Sequence, residues 1–384
     1  MDIIEADSEE AVAEILKAGQ KVEIVGAGTK LALGRPVEGA RRLSLAAISG
    51  IVSYEPAELI LSVRAATPMA EIDAALAAHS QTLAFEPPDL SRLLGSSANH
   101  QTIGGVVATA LAGPRRCVAG GVRDHLLGLT AVNGRGEIFK AGGRVVKNVT
   151  GYDLCKLLAG SFGTMAVFTE LTLKVLPAAE TEESVVLVGL DGRDAVSAMC
   201  AALGSSAGIS GAAWLPGEES LTVLRIEGFA SSVTARRHRL VSALGLDTAL
   251  WSAETSRNWW RDLRDVAPLV GLPDQAIWKI SLAATQAPAL LKKLAGLAGC
   301  RLYLDWGGAM IWLAVDCGGD AQAGALRALL PDGAHAMLMV APPEIRTRVP
   351  VFQPLPVAQA AVEEKVRRSF DPDHLLNPGR MSPC

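Results

Sequence analysis

The stretch Ile24-Val25-Gly26-Ala27-Gly28-Thr29-Lys30 decides the reading of this chain. A short apolar strand, Val22 to Val25, runs directly into a loop of small residues. Gly-x-Gly after a strand invites a doubly wound dinucleotide fold. The third glycine of that fingerprint should fall at position 31, which is Leu31, and Gly34-Arg35-Pro36 breaks the helix that should follow. No G-x-x-x-x-G-K-[ST] loop occurs either. What remains is a turn whose successive backbone N–H groups form a concave nest for a pyrophosphate. Its glycines let phosphates approach the backbone, Thr29 adds a hydroxyl and Lys30 a charge. Taken alone, the same residues also read as an ordinary glycine turn.

Working outward, Asp7 is placed to cap a helix, with Glu10 in the capping-box position, Val12, Ile15 and Leu16 as its apolar stripe and Gly19 as its stop. A strand is expected at Leu59 to Val63, then a helix opened by Thr67-Pro68 that turns Ile72, Ala75 and Leu76 inward. Phe85 to Gly121 is rich in Pro, Gly, Ser and Asn and reads as a long irregular stretch, a usual sign of function. Strands return at Leu126 to Val132 and Glu137 to Lys140, with Asn133-Gly134 as a hairpin signal between them. A helix follows at Asp153 to Leu158 and a strand at Val167 to Val175. Residues 178–184, Ala-Ala-Glu-Thr-Glu-Glu-Ser, read as a polar linker. Beyond them strands (Ser184 to Leu190, Leu221 to Ile226) alternate with helices (Ala289 to Leu297), the pattern of an α+β layer domain. The proline-rich tail carries a helix at Ala358 to Ser369.

The composition narrows the possibilities. A chain of 384 residues exceeds one ordinary core and implies two or three domains. With 49% hydrophobic residues, 20% charged and a net charge of −4, nothing recruits nucleic acid or an anionic membrane surface. The acidic start, Met1-Asp2-Ile3-Ile4-Glu5, is unlike a secretory signal, and no window nears the roughly 20 apolar residues of a membrane span. A soluble, cytoplasmic protein is expected, touching a membrane only through partners. The six cysteines form no C-x-x-C pair and the six histidines no H-x-H or H-E-x-x-H, so neither an iron–sulfur cluster nor a metal site is expected.

Further glycine-dense segments give the opening loop its meaning. They are Glu86-Pro87-Pro88, Thr102-Ile103-Gly104-Gly105-Val106-Val107-Ala108-Thr109, Gly113-Pro114-Arg115-Arg116, Gly121-Val122-Arg123-Asp124, Lys147-Asn148-Val149-Thr150-Gly151-Tyr152-Asp153-Leu154 and Gly160-Ser161-Phe162-Gly163-Thr164. Their order resembles the FAD domain of the vanillyl-alcohol-oxidase/p-cresol-methylhydroxylase superfamily. Within it, Gly113 to Arg116, Val145 to Asp153 and the closing Phe370-Asp371-Pro372…Leu376-Asn377-Pro378-Gly379-Arg380 resemble the glycolate oxidase flavin-subunit family called E. The resemblance is dense over about 20–177 and 370–381 and thin between, apart from Trp306-Gly307-Gly308.

The resemblance implies an α+β protein with a two-lobed p-cresol-methylhydroxylase-type (PCMH-type) FAD-binding domain at 1–177, an α+β cap or substrate-type domain at 185–340 and a C-terminal helical arm at 341–384. It implies FAD held by Val25, Gly26, Ala27, Gly28, Thr29 and Lys30 at the pyrophosphate. Pro88, Thr102, Gly104, Gly105, Ala108, Thr109, Gly163, Thr164 and Val167 are expected along the rest of the cofactor. Where covalent relatives carry a histidine after the phosphate loop, this chain has Lys30-Leu31-Ala32-Leu33, so non-covalent FAD is expected. The His…Gly-Asp-Gly-Asn…His metal pattern of related D-2-hydroxyacid dehydrogenases is missing. That absence points to a second flavin subunit for substrate and metal and to an iron–sulfur subunit for onward electron transfer.

Oxidation of a 2-hydroxy acid needs a cation for the carboxylate, a base for the hydroxyl proton and the flavin as hydride acceptor. Arg115, Arg116 and Arg123 are candidates for the cation, with surface or interdomain ion pairing as the equal alternative. His100 is a candidate base, although a solvent-facing loop histidine is the simpler reading. Lys147 and Asp153 are expected to pair at a helix start. Trp259, Trp260 and Trp306 are expected in core or interface positions rather than stacked on a flavin. The leading expectation is the FAD subunit of a glycolate oxidase or dehydrogenase complex. The alternatives are a self-sufficient 2-hydroxyacid oxidase or NADPH-dependent flavin reductase, and an FAD-stabilised scaffold.

Overall fold

The computed structural model describes residues 3–143 and 151–383. The chain divides into two compact units, one of residues 1–112, 120–177 and 354–384, the other of 113–119 and 178–353.

The first unit opens with a parallel three-stranded sheet. Its strands are β1 (Ile3–Glu5), β2 (Val22–Val25) and β3 (Arg41–Ser44), in the order β1-β3-β2. The helix Glu9–Lys17 links β1 to β2 and buries Val12, Ala13 and Leu16. Its cap is Ser8, whose hydroxyl accepts from Ala11 N at 3.2 Å, and not Asp7 as the sequence suggested. Asp7 lies one residue too early for that reach, and Glu9 and Glu10 instead face the positive end of the helix.

Seven further strands complete the unit: β4 (Ile51–Glu55), β5 (Ile60–Arg64), β6 (Gln81–Thr82), β7 (Leu126–Asn133), β8 (Ile138–Gly142), β9 (Ala166–Lys174) and β10 (Leu176–Pro177). β6 pairs with β10, and the others form an antiparallel sheet in the order β4-β5-β9-β7-β8. Alternation at the start of β9 divides its side chains between two cores, and a bulge at Thr169 then returns Leu171 to the face of Ala166 and Phe168. Ala166, Phe168 and Leu171 pack with Val63, Ile72 and Ile103, whereas Val167 packs with Val12, Leu16 and Leu43. The β7–β8 hairpin forms where Asn133-Gly134 signalled it. Asn133 Oδ1 accepts from Arg135 N and Glu137 N, and Gly136 supplies the positive φ of 70°.

The stretch from Phe85 to Gly121, irregular by composition, contains the short helices Ser91–Leu94, Ile103–Thr109 and Arg116–Ala119. In the second of these, glycine is needed for close approach rather than for an unusual dihedral. Gly104 N donates to Ala65 O at 2.7 Å, and a Cβ on Gly104 would lie 2.7 Å from that same oxygen. Packing here overrides poor helix propensity. Asp153 caps the helix Leu154–Leu158 through Lys156 N and pairs with the Lys156 ammonium at 3.2 Å. The expected partner Lys147, like the rest of 144–150, lies outside the described residues.

The tail groups with the first unit. After the helix Val357–Phe370, the Asp371 carboxylate accepts from Leu375 N and Leu376 N, turning the chain back. It then runs beside β2: Val22 N donates to Leu375 O at 2.8 Å, and Asn377 N donates to Val22 O at 2.9 Å.

The second unit is built on one antiparallel sheet of eight strands. They are β11 (Thr181–Val188), β12 (Ile209–Leu215), β13 (Leu221–Gly228), β14 (Ala249–Trp251), β15 (Gln275–Ser281), β16 (Arg301–Asp305), β17 (Met310–Asp316) and β18 (His335–Val340). The spatial order is β14-β11-β13-β12-β16-β17-β15-β18. Helices Gly192–Leu203 and Ala287–Leu294 cover it, and Met199, Leu290, Trp278, Leu313 and Leu338 share its core. The supposed linker 178–184 is largely the start of β11. Two of its polar residues, Glu182 and Ser184, are buried with partners: Ser256 Oγ donates to Glu182 Oε1 at 2.7 Å, and Trp260 Nε1 donates to Ser184 Oγ at 2.9 Å. Among the described residues no helix is long and apolar enough to cross a membrane.

Candidate cofactor site

A cleft partly open to solvent lies within the first unit. One wall is the loop Val25 to Lys30 that continues β2. The facing wall is Thr102, Gly104, Gly105, Ala108 and Thr109 from the start and body of the helix Ile103–Thr109. The two walls nearly touch: a Cβ on Gly26 would sit 2.6 Å from Thr102 Oγ1. Gly28 takes φ +74°, a left-handed conformation that turns successive amides of the loop. A Cβ on Gly105 would meet nothing closer than 3.6 Å, so this glycine leaves room in the cleft rather than avoiding a clash.

Among the described residues the cleft is lined by two desolvated cations, Arg380, which is paired with Glu23, and Lys30. Lys30 Nζ donates to Gln101 Oε1 at 2.8 Å. Burial lowers its pKa to about 8, only partly offset by Asp89. The far side is apolar, with Leu33, Leu45, Ala65, Ala66, Ala166 and Phe168. A nest of amides, a desolvated lysine that keeps its charge at neutral pH and an apolar wall fit a ligand with both a phosphate part and a planar ring.

Comparison with known proteins gives the ligand. The family model described as an FAD binding domain matches residues 3–142. Glycolate oxidase subunit GlcE of Escherichia coli (strain K12) is 34% identical over 364 residues, covering 93% of this chain and 91% of that protein. The chain belongs to the GlcE family. The D-lactate dehydrogenase of Anaerostipes hadrus is 32% identical over 190 residues, 48% of this chain but 38% of that enzyme. Among solved structures, substrate-bound p-cresol methylhydroxylase superimposes with a TM-score of 0.73 at 13% identity, over 99% of this chain and 88% of that one. At that identity the likeness shows the fold alone, the PCMH-type FAD-binding fold. FAD is therefore the cofactor of this GlcE-family chain, held non-covalently; among the described residues no histidine, cysteine or tyrosine lines the cleft.

Against this frame the expected cofactor residues separate. Val25 to Lys30, Thr102, Gly104, Gly105, Ala108, Thr109 and Gly163 all line the cleft. Pro88, Thr164 and Val167 do not. Thr164 is buried and donates its hydroxyl to Ser161 O at 2.7 Å. Val167 lies one position out of register, so alternation turns it into the core beneath, while its neighbours Ala166 and Phe168 face the cleft. Asn377 and Arg380 also line the cleft and were not assigned to it from sequence. Asn377 Oδ1 accepts from Ile24 N at 2.8 Å and its amide donates to Phe162 O at 2.7 Å, joining the phosphate loop's strand to the Phe162–Gly163 turn. Arg380 donates to Leu31 O, Leu33 O and Glu23 Oε1, closing the loop from behind. The closing Asn-Pro-Gly-Arg was the available signal.

The remaining candidates lie elsewhere. His100 and Arg123 are exposed. Arg115 and Arg116 belong to the second unit, where Arg115 pairs with Glu227 at 3.5 Å. Trp260 is buried, with Arg225 over its ring at 4.8 Å, and Trp259 packs edge-on against it. Among the described residues no three His, Cys, Asp or Glu side chains converge to hold a metal ion.

Proposed function

We propose that this chain is the FAD-carrying subunit of a complex that oxidises a small 2-hydroxy acid, glycolate foremost, to the corresponding 2-oxo acid. A second flavin subunit holds the substrate, and an iron–sulfur subunit carries the electrons onward. The observation that carries this reading is the near end-to-end alignment with a protein named as a subunit, in a chain whose first unit contains a built phosphate-and-ring cleft.

In this reading the amides of Gly26 to Thr29 and the Lys30 ammonium hold the pyrophosphate. Gly104 and Gly105 let the cofactor lie against backbone, and the Ala65, Ala166 and Phe168 wall excludes water from its ring. Bound FAD supplies a two-electron acceptor for hydride from the carbon bearing the hydroxyl.

The test is anaerobic addition of glycolate to the chain purified alone and to the chain co-purified with its partner subunits, followed by flavin absorbance. Bleaching is expected in the complex and not in the isolated chain. Glycolate oxidation by the isolated chain at the rate of the complex would overturn the division of labour.

A further inference from the structure

In the second unit, Trp306 follows β16 directly and opens a turn in a strained conformation. Its φ is +53°, unusual for a bulky residue, and Gly307 and Gly308 follow at +66° and +98°. The turn is fixed on every side. The Asp305 carboxylate accepts from Trp306 N at 2.7 Å, and the indole N–H donates to Gly113 O at 3.0 Å. A Cβ on Gly307 would strike Leu203, so the turn is also packed against the helix beneath.

Two cations lie on the indole held this way. The Arg116 guanidinium carbon is 5.1 Å from the ring centroid and Lys279 Nζ is 5.6 Å from it. They come from separate elements, the helix Arg116–Ala119 and β15, and like charges brought together repel. Nearby Arg115 and Arg225 share Glu227, at 3.5 and 3.3 Å. Among the described residues neither Arg116 nor Lys279 has a carboxylate within ion-pair distance. Burial, and then Arg116, brings the Lys279 pKa down to about 8. Half-buried Trp306 and exposed Arg116 leave the cluster open to a small ligand. Strain and uncompensated charge held on one ring are costs that a bound anion would offset.

We propose that Arg116, Lys279 and Trp306 form a binding site for a small carboxylate anion, with the two cations taking the carboxylate and the indole flanking it. A guanidinium fork and an ammonium match the two oxygens of a carboxylate, and the flat indole face suits a short, planar acid such as a 2-hydroxy or 2-oxo acid. The site does not require this chain to oxidise what it binds. It rests on the proposed function only in the choice of glycolate as the first probe.

The experiment is calorimetric titration of the full-length, FAD-loaded chain with glycolate, with acetate and phosphate as further probes. Glycolate is expected to bind one to one. Lys279→Met and Arg116→Gln should each weaken it about tenfold or more, the loss of one charge-assisted contact. Lys279→Arg, which keeps the charge, should retain binding within about threefold. Unchanged flavin content reports folding in each variant, and Lys279→Arg decides the matter should Lys279→Met fail to fold. No glycolate binding, binding indifferent to both charge-removing variants, or phosphate bound as tightly as glycolate would each overturn the proposal. Binding without flavin reduction in the complex would sink the proposed function and leave this site standing; reduction without binding here would do the reverse.

Discussion

Arg380 places its guanidinium 2.6 Å from the Glu23 carboxylate, and both side chains are buried. The same guanidinium donates to Leu31 O at 2.9 Å and Leu33 O at 3.0 Å, so one residue near the C-terminus fixes the chain on both sides of the phosphate loop. Burial pulls the arginine below its ordinary pKa while Glu23 pulls it back. Removing one member of such a pair leaves a buried charge and costs about 3–5 kcal/mol. Arg380→Met should lower Tm sharply and weaken FAD retention. Adding Glu23→Gln should recover part of the loss, because the buried Glu23 carboxylate, left with only the partly exposed Arg42 at 3.2 Å, is then neutral. Thermal melts with and without FAD check this, and a double variant no more stable than Arg380→Met would refute the role given to the pair.

Two adjacent glycines should respond oppositely to alanine. Gly104→Ala drives a Cβ into Ala65 O and should destabilise the chain by about 1–3 kcal/mol. Gly105→Ala meets only ordinary contacts and gains helix propensity, so the unliganded fold should hold or improve by up to about 1 kcal/mol. Its methyl would enter the cleft, so FAD affinity should fall. Denaturant melts paired with flavin titration separate the two effects; equal stability losses would mean the walls are not placed as described.

Lys30 should make FAD binding pH-dependent. The protein's own groups set its pKa to about 8, and a pyrophosphate beside it raises that value. Affinity should therefore be flat below pH 8 and fall as pH rises above it, with proton uptake on binding near pH 9. Calorimetry at pH 9 in two buffers of different ionisation enthalpy measures that uptake, and its absence would remove Lys30 from the phosphate site. Lys30→Met should abolish the dependence and weaken FAD by roughly 10–100-fold, the worth of a charge-assisted hydrogen bond. The sign for stability is opposite. A buried lysine with a lowered pKa costs folding free energy below pH 8, and that cost fades as pH rises toward the ordinary lysine value. Lys30→Met without FAD should thus be no less stable than the parent at neutral pH.

The register of β9 is testable at one residue. Val167→Ala removes buried atoms from the core with Val12 and Leu16 and should cost about 1–3 kcal/mol without changing FAD affinity. Phe168→Ala should alter both stability and FAD affinity, because Phe168 lines the cleft. A change in FAD affinity in Val167→Ala at unchanged stability would reverse this register.

The sequence by itself determined the cofactor, FAD, through the order of several glycine-dense segments that give the opening loop its meaning. Gly26-Ala27-Gly28-Thr29-Lys30 after an apolar strand, with Leu31 and Pro36 excluding the common nucleotide loops, is a local signal, because amide nests and glycine dihedrals belong to a few consecutive residues. The Asn133-Gly134 hairpin and the helix after Asp153 were legible for the same reason. Sequence did not reveal what depends on contacts between distant segments. The polar run at 181–184 reads as a linker until Ser256 and Trp260 are seen to satisfy it inside a sheet. The resemblance implied Val167 along the cofactor, whereas Ala166 and Phe168 are the β9 residues that line the cleft, a matter of strand face that the tertiary structure decides. Asn377 and Arg380 reach the phosphate loop only because the tail runs beside β2, and Lys279 meets Arg116 and Trp306 only because three separated segments converge on one ring. Local backbone chemistry is written in neighbouring residues; which charges are buried together, and with what partner, is settled by packing.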